Sequence, residues 1–224
     1  MKSYWSSLSL TVALVLLVIP PLRSAWPQKA PDKGSSASLE ARIVTDSAGC
    51  PTAVDLWLVS TSDTVKGLEA LLQWDRPDLV RFAPAARLDS RKSDSTADST
   101  TPARAAKPAN SAAIDTRRGL LAGWEYVEAR SDEGLTVKIT AVSSLLPGRK
   151  ATPIPPGKHG RLCRLPLKAV ADGARPVPGD SLCVWLDAVN TRLSNASGDL
   201  FGDVKLKRGI ISLAPCLASH PSGR

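Results

Sequence analysis

The sequence is poor in the residues that catalysis and metal binding most often use. Only two histidines occur, His159 and His220, and both fall in segments that read as loop and tail. Those positions do not suit a Ser-His-Asp arrangement. No G-x-S-x-G, H-E-x-x-H or phosphate-cradling glycine loop is present. An enzyme needs a converging acid, base or nucleophile. The chain therefore reads as non-catalytic, without cofactor or metal. No C-x-x-C pair exists among Cys50, Cys163, Cys183 and Cys216, which argues against zinc. With two Phe and two Tyr, most of a core must come from Leu, Val, Ile and Ala. No long stretch shows helical periodicity. No basic run with interleaved aromatics accompanies the net charge of +8, so the surface reads as generally basic and soluble, not as a nucleic-acid site.

What is present begins with an export segment. Lys2 precedes the apolar run LSLTVALVLLVI at 8–19, which Pro20 and Pro21 end. Ser24 and Ala25 then offer small residues for cleavage after either one. The run falls short of the ~20 residues that span a bilayer, so 1–25 is expected to be a cleaved signal peptide. No later stretch could span, and no Cys near the cleavage point offers a lipid attachment site. Loss of Lys2 and Arg23 leaves +6. The mature chain is expected to be secreted, extracellular or periplasmic. Four Cys in an exported chain suggest two disulfides in one of three connectivities.

Residues 26–38 (WPQKAPDKGSSAS) read as a flexible polar leader. Period-two alternation, the mark of half-buried strands, then recurs. Strands are expected at 39–45 and 54–59, and at 68–74, where Leu68, Ala70, Leu72 and Trp74 alternate with Glu69, Leu71 and Gln73. Further strands are expected at 124–128 and 135–142, around a turn at 131–134, and at 162–170 and 182–189. Two last segments lie at 204–207 and 209–213. Pro166 inside 162–170 removes a ladder donor and implies an edge or a bulge. Trp57, Trp74, Trp124 and Trp185 all lie in these strands and suit the space between two sheets. The segment 89–113 has almost no large apolar residue and cannot offset its own ordering entropy. It reads as a disordered insertion and a candidate site for O-linked sugar. Residues 214–224 read as a C-terminal tail.

Asp75 and Asp78 flank Pro77, and Asp in such a turn usually serves the backbone. Asp187, Asn190, Asn195, Asp199 and Asp203 form an oxygen-rich stretch whose spacing does not match a Ca²⁺ loop. Asn195-Ala196-Ser197 fits the N-glycosylation sequon.

The segment GLEALLQWDRPDLVRF at 67–82 resembles the cohesin family, in which a glycine precedes an alternating strand that ends in an aromatic and Asp, then a Pro-containing turn and a Leu. Gly67, Trp74, Asp75, Pro77 and Leu79 hold those places, although Pro77 stands one position later than is usual after the Asp. IPPGKHGRLCRLPL at 154–167 and the close at 186–213 agree in order and spacing. The resemblance covers 39–213, apart from the insertion. It implies an all-β, nine-strand, jelly-roll-like β-sandwich whose first and last strands lie side by side and parallel. It also implies Cys50–Cys216 and, by remainder, Cys163–Cys183.

In cohesins the face holding the 68–74 strand receives a dockerin. Here that face would present Glu69, Leu71 and Gln73, with outward residues of 124–128, 135–142 and 182–189. The resemblance therefore implies a protein partner, a dockerin-bearing one among the candidates. Related sandwiches bind sugar, so a polysaccharide is the alternative, with Trp57, Trp124 and Tyr126 as stacking candidates. A structural extracellular or envelope domain is the third reading.

Overall fold

The computed structural model describes residues 32–85, 111–132, 135–145, 152–170, 176–177 and 179–213. The segments expected to be a signal peptide at 1–25 and a tail at 214–224, and most of the expected insertion at 89–113, lie outside the described residues.

Alternating apolar positions place strands at β1 (Asp32–Thr45), β2 (Pro51–Thr61), β3 (Gly67–Trp74), β4 (Val80–Phe82), β5 (Tyr126–Asp132) and β6 (Thr136–Val142). They continue with β7 (Gly160–Ala169), β8 (Ser181–Leu186), β9 (Arg192–Ser194), β10 (Phe201–Lys207) and β11 (Gly209–Ser212). One sheet runs β10-β1-β2-β7-β4. The other runs β11-β8-β3-β6-β5, with β9 also paired to β3. Among the described residues eleven strands stand where nine were expected, and the two short additions are β4 and β9. The β-sandwich is as expected. Leu39, Leu56 and Leu58 of one sheet meet Leu72, Ile139 and Leu182 of the other in a core closed to solvent. Burying each such side chain contributes about 1.5–3 kcal/mol. Trp74 and Phe82 pack edge to face, centroids 4.5 Å apart, and the Trp74 indole N–H donates to the Val80 carbonyl at 3.2 Å.

The parallel closing pair is present, but β1 takes β10, the strand before the last, and β11 runs antiparallel to β8. The first strand is longer than expected. Residues 32–38 belong to β1 and pair with β10, with Ala37 opposite Val204, while Ser35, Ala37 and Ser38 are buried. Small side chains fit between strands where the polar composition suggested a loose leader.

The insertion is also shorter at its end than 89–113. Ser111 and Ala112 are buried, Ala112 N–H donates to the Ala129 carbonyl, and Ala113 N–H donates to that of Ala83. These residues tie the β4 edge to the β5 edge. The chain leaves and returns at one place, because Ala85 N–H donates to the Ser111 carbonyl at 2.9 Å.

Pro166 sits opposite Ala53, between β2 and the end of β4. The β2–β7 bulge lies instead at Leu56/Trp57. Ala83 N–H donates to the Pro166 carbonyl, and the Ala83 carbonyl takes its own bond from Ala113 N–H. The missing proline donor is thereby replaced within the sheet.

Trp124 precedes β5 and is buried with Trp74, whereas Trp57 and Trp185 lie on outer faces and are only partly covered. A Cys163–Cys183 bridge is absent, since both are free thiols. Cys163 points into the core from β7 of one sheet. Cys183 alternates with buried Leu182 and Val184 and points outward from β8 of the other. Burial pushes the Cys163 thiol up to about 12. Cys50 is disulfide-bonded, and Cys216, the partner implied for it, lies outside the described residues.

Candidate functional site

The alternation of β3 fixes the first part of the candidate face. Leu68, Ala70, Leu72 and Trp74 point inward and are buried, so Glu69, Leu71 and Gln73 point outward, each partly exposed. Register then places the neighbours. Lys138 of β6 lies opposite Leu71, and Thr140 lies opposite Glu69. Arg130 and Glu128 of β5 lie beyond them. On the other side Trp185 of β8 lies opposite Gln73, and Ile210 of β11 lies opposite Cys183.

This face has two halves. Across β5 and β6 the charges pair with one another. Lys138 bridges Glu69, Arg130 meets Glu128 at 3.0 Å, and the Tyr126 hydroxyl donates to Glu128. That hydrogen bond is the main reason the Tyr126 pKa is raised. Across β3, β8 and β11 the surface is mostly apolar: Leu71, Trp185, Cys183 and Ile210, with Ile210 54% exposed. The Trp185 indole N–H donates to Gln73 Oε1 at 2.9 Å, so its one polar group is satisfied and the ring is held. Sequence reading found Leu71 and Gln73 but placed Trp185 in the core. The parity of buried Leu182, Val184 and Leu186 would have turned it outward.

The loops beside this face are built by carboxylate and amide side chains. Asp75 Oδ1 accepts from Cys183 N–H at 2.9 Å. Arg76 donates to Asp78 and meets Asp180 at 3.0 Å, joining the turn after β3 to the one before β8. Asp78 is held below the usual carboxylate range chiefly by the Arg76 hydrogen bond. Asp180 is lowered first by Val177 N–H and then by Arg76. Asp187 Oδ1 accepts from the N–H groups of Val189 and Asn190. Asn195 Oδ1 accepts from those of Ser197 and Asp199, and its amide donates to Asp63. These oxygens are engaged in turns, as an ordinary polar turn requires. Among the described residues no group of three or more His, Cys, Asp and Glu could hold a metal ion.

The three stacking candidates do not converge. Trp124 is buried, Tyr126 lies on the six-stranded sheet, and Trp57 lies on the outer face of the five-stranded sheet beneath Arg42, whose guanidinium carbon is 4.2 Å from the ring centroid.

No protein-family profile and no curated protein matches the chain. Solved structures do. The complex of CaCohA2 with CaDoc0917 matches at TM-score 0.50 and 10% identity, over 79% of this chain and 99% of that one; CaCohA2 comes from Clostridium acetobutylicum. A type II cohesin domain from the cellulosome of Acetivibrio cellulolyticus aligns at TM-score 0.47 and 12% identity, over 82% and 99% of the two chains. The fold is that of the cohesin β-sandwiches.

Proposed function

We propose that this chain is an exported, non-catalytic binding module that holds a protein partner, a dockerin-bearing one by its likeness to cohesins, on the outer face of its six-stranded sheet. The observation that carries this reading is the apolar half of that face. Leu71, Trp185, Cys183 and Ile210 lie across β3, β8 and β11, next to a half whose charges pair with one another. Interfaces commonly combine an apolar centre with a polar rim, and ring-bearing residues held in place dominate binding energy. Among structures of the same fold, one is a type I cohesin–dockerin complex from Clostridium thermocellum. The expected signal peptide agrees with partners outside the cell.

The test is a pull-down from the source organism's secreted proteins, with the mature chain as bait, with and without Ca²⁺. Capture of a dockerin-bearing protein that Leu71→Glu abolishes supports the reading. An empty pull-down under both conditions removes it.

A further inference from the structure

The five-stranded sheet also turns a face outward, and its chemistry is different. Its middle row is arginine-rich. Arg42 of β1 and Arg164 of β7 stand opposite Asp55 of β2 on either side. Arg164 takes both oxygens of this buried carboxylate, at 2.7 and 2.8 Å. Arg161 reaches the same carboxylate only at 3.9 Å, and its buried Nε has no hydrogen-bond partner. One carboxylate thus serves two guanidinium groups and satisfies one. Arg42 is fixed separately, bonded to Glu40 at 2.7 Å and lying over Trp57.

Towards the edges the excess grows. Lys205 and Lys207 of β10 are exposed; Lys207 stands opposite Glu40, whose carboxylate bonds Arg42, and neither lysine has an ion pair among the described residues. At the opposite edge Arg81 of β4 faces Lys168 of β7 directly, both exposed. Like charges opposite one another across a ladder are destabilising. The cations come from β10, β1, β7 and β4, with Asp55 of β2 between them, and run diagonally across a sheet about 20 Å wide at the usual strand spacing.

We infer that this face binds an acidic polysaccharide, its carboxylate or sulfate groups spread over Lys207, Arg161 and the Arg81–Lys168 pair. A polyanion supplies what the face lacks, and a row of separated cations suits repeated negative groups better than one small anion. Single-stranded nucleic acid binding draws on bases stacked on bare aromatic rings, and the ring this face offers among the described residues, Trp57, lies under Arg42. Protein interfaces are enriched in aromatic side chains at their centre, whereas the apolar row on this face among the described residues, Val44, Ala53 and Pro166, has none. A hydrated sugar chain held by charge needs neither. This site lies on the opposite sheet from the proposed protein-binding face and does not depend on it.

The experiment is affinity electrophoresis and calorimetry of the full chain with polygalacturonate. The expected result is binding that weakens steeply between about 50 and 200 mM salt, with no retardation by neutral hydroxyethylcellulose. Arg161→Gln/Lys207→Gln should bind about tenfold more weakly. Arg81→Gln/Lys168→Gln, at exposed positions that leave the fold intact, should also bind more weakly. Failure of the wild-type chain to bind polygalacturonate at the lower salt overturns the inference. So does undiminished binding by folded Arg81→Gln/Lys168→Gln. Equal binding of polyglutamate or of a single-stranded oligonucleotide overturns the assignment to polysaccharide.

Discussion

Asp55 shows how one side chain can organise a surface. It is buried with its charge, which is costly unless the charge is paired, and Arg164 supplies the two-pronged pairing. Asp55→Ala would leave Arg164 and Arg161 uncompensated. The expected loss is about 3 kcal/mol, read as a lower urea midpoint at neutral pH; an unchanged midpoint refutes it. Asn195 makes a parallel point. Its sequon is legible in the sequence, but its amide is buried and closes the turn through Ser197, Asp199 and Asp63. Expression in a glycosylating host should give a chain with no glycan at Asn195. Asn195→Ala should cost about 1 kcal/mol. A mass increase at that peptide would contradict this.

At the scale of elements, two joints are exposed to test. Gly209 opens β11 where it passes β1, and a Cβ there would stand 2.5 Å from the Ala41 carbonyl oxygen. Gly209→Ala should cost about 1–3 kcal/mol and be seen as a lowered thermal midpoint. The second joint is Arg76 between Asp78 and Asp180. Both carboxylates have folded pKa values below the ordinary value. Their contribution is complete above the unfolded value of about 4 and is lost as pH falls through the lowered folded values. Stability of the wild-type chain should therefore fall more steeply below about pH 4 than that of Arg76→Gln. Parallel curves would exclude the joint as an acid-sensitive link.

Period-two alternation made most strands and the inward face of β3 legible in advance. It missed what small or polar residues hide. Ser35, Ala37 and Ser38 look like leader but fit under β10, and β4 and β9 are too short to show a period. The outward Trp185 was misplaced because ring size was weighed above parity.

For the whole molecule, covalent connectivity is the first thing to settle. We propose Cys50–Cys216 as its one bridge, supported by the bonded state of Cys50 and the free thiols of Cys163 and Cys183. Thiol titration should find Cys183 alone in the native state and Cys163 joining it in denaturant. Recovery of a Cys163–Cys183 peptide would overturn this. The two faces divide the remaining chemistry: one sets an apolar half beside paired charges, and the other is rich in cations. The parallel β1–β10 pair also has a mechanical consequence. With the strands aligned in one direction, tension applied between the start of β1 and the end of β10 acts along the ladder in shear. The bonds between Ser36–Glu40 and Asp203–Lys207 must then yield together, not one after another as in an unzipping hairpin. A module joined this way can serve as a tether under load.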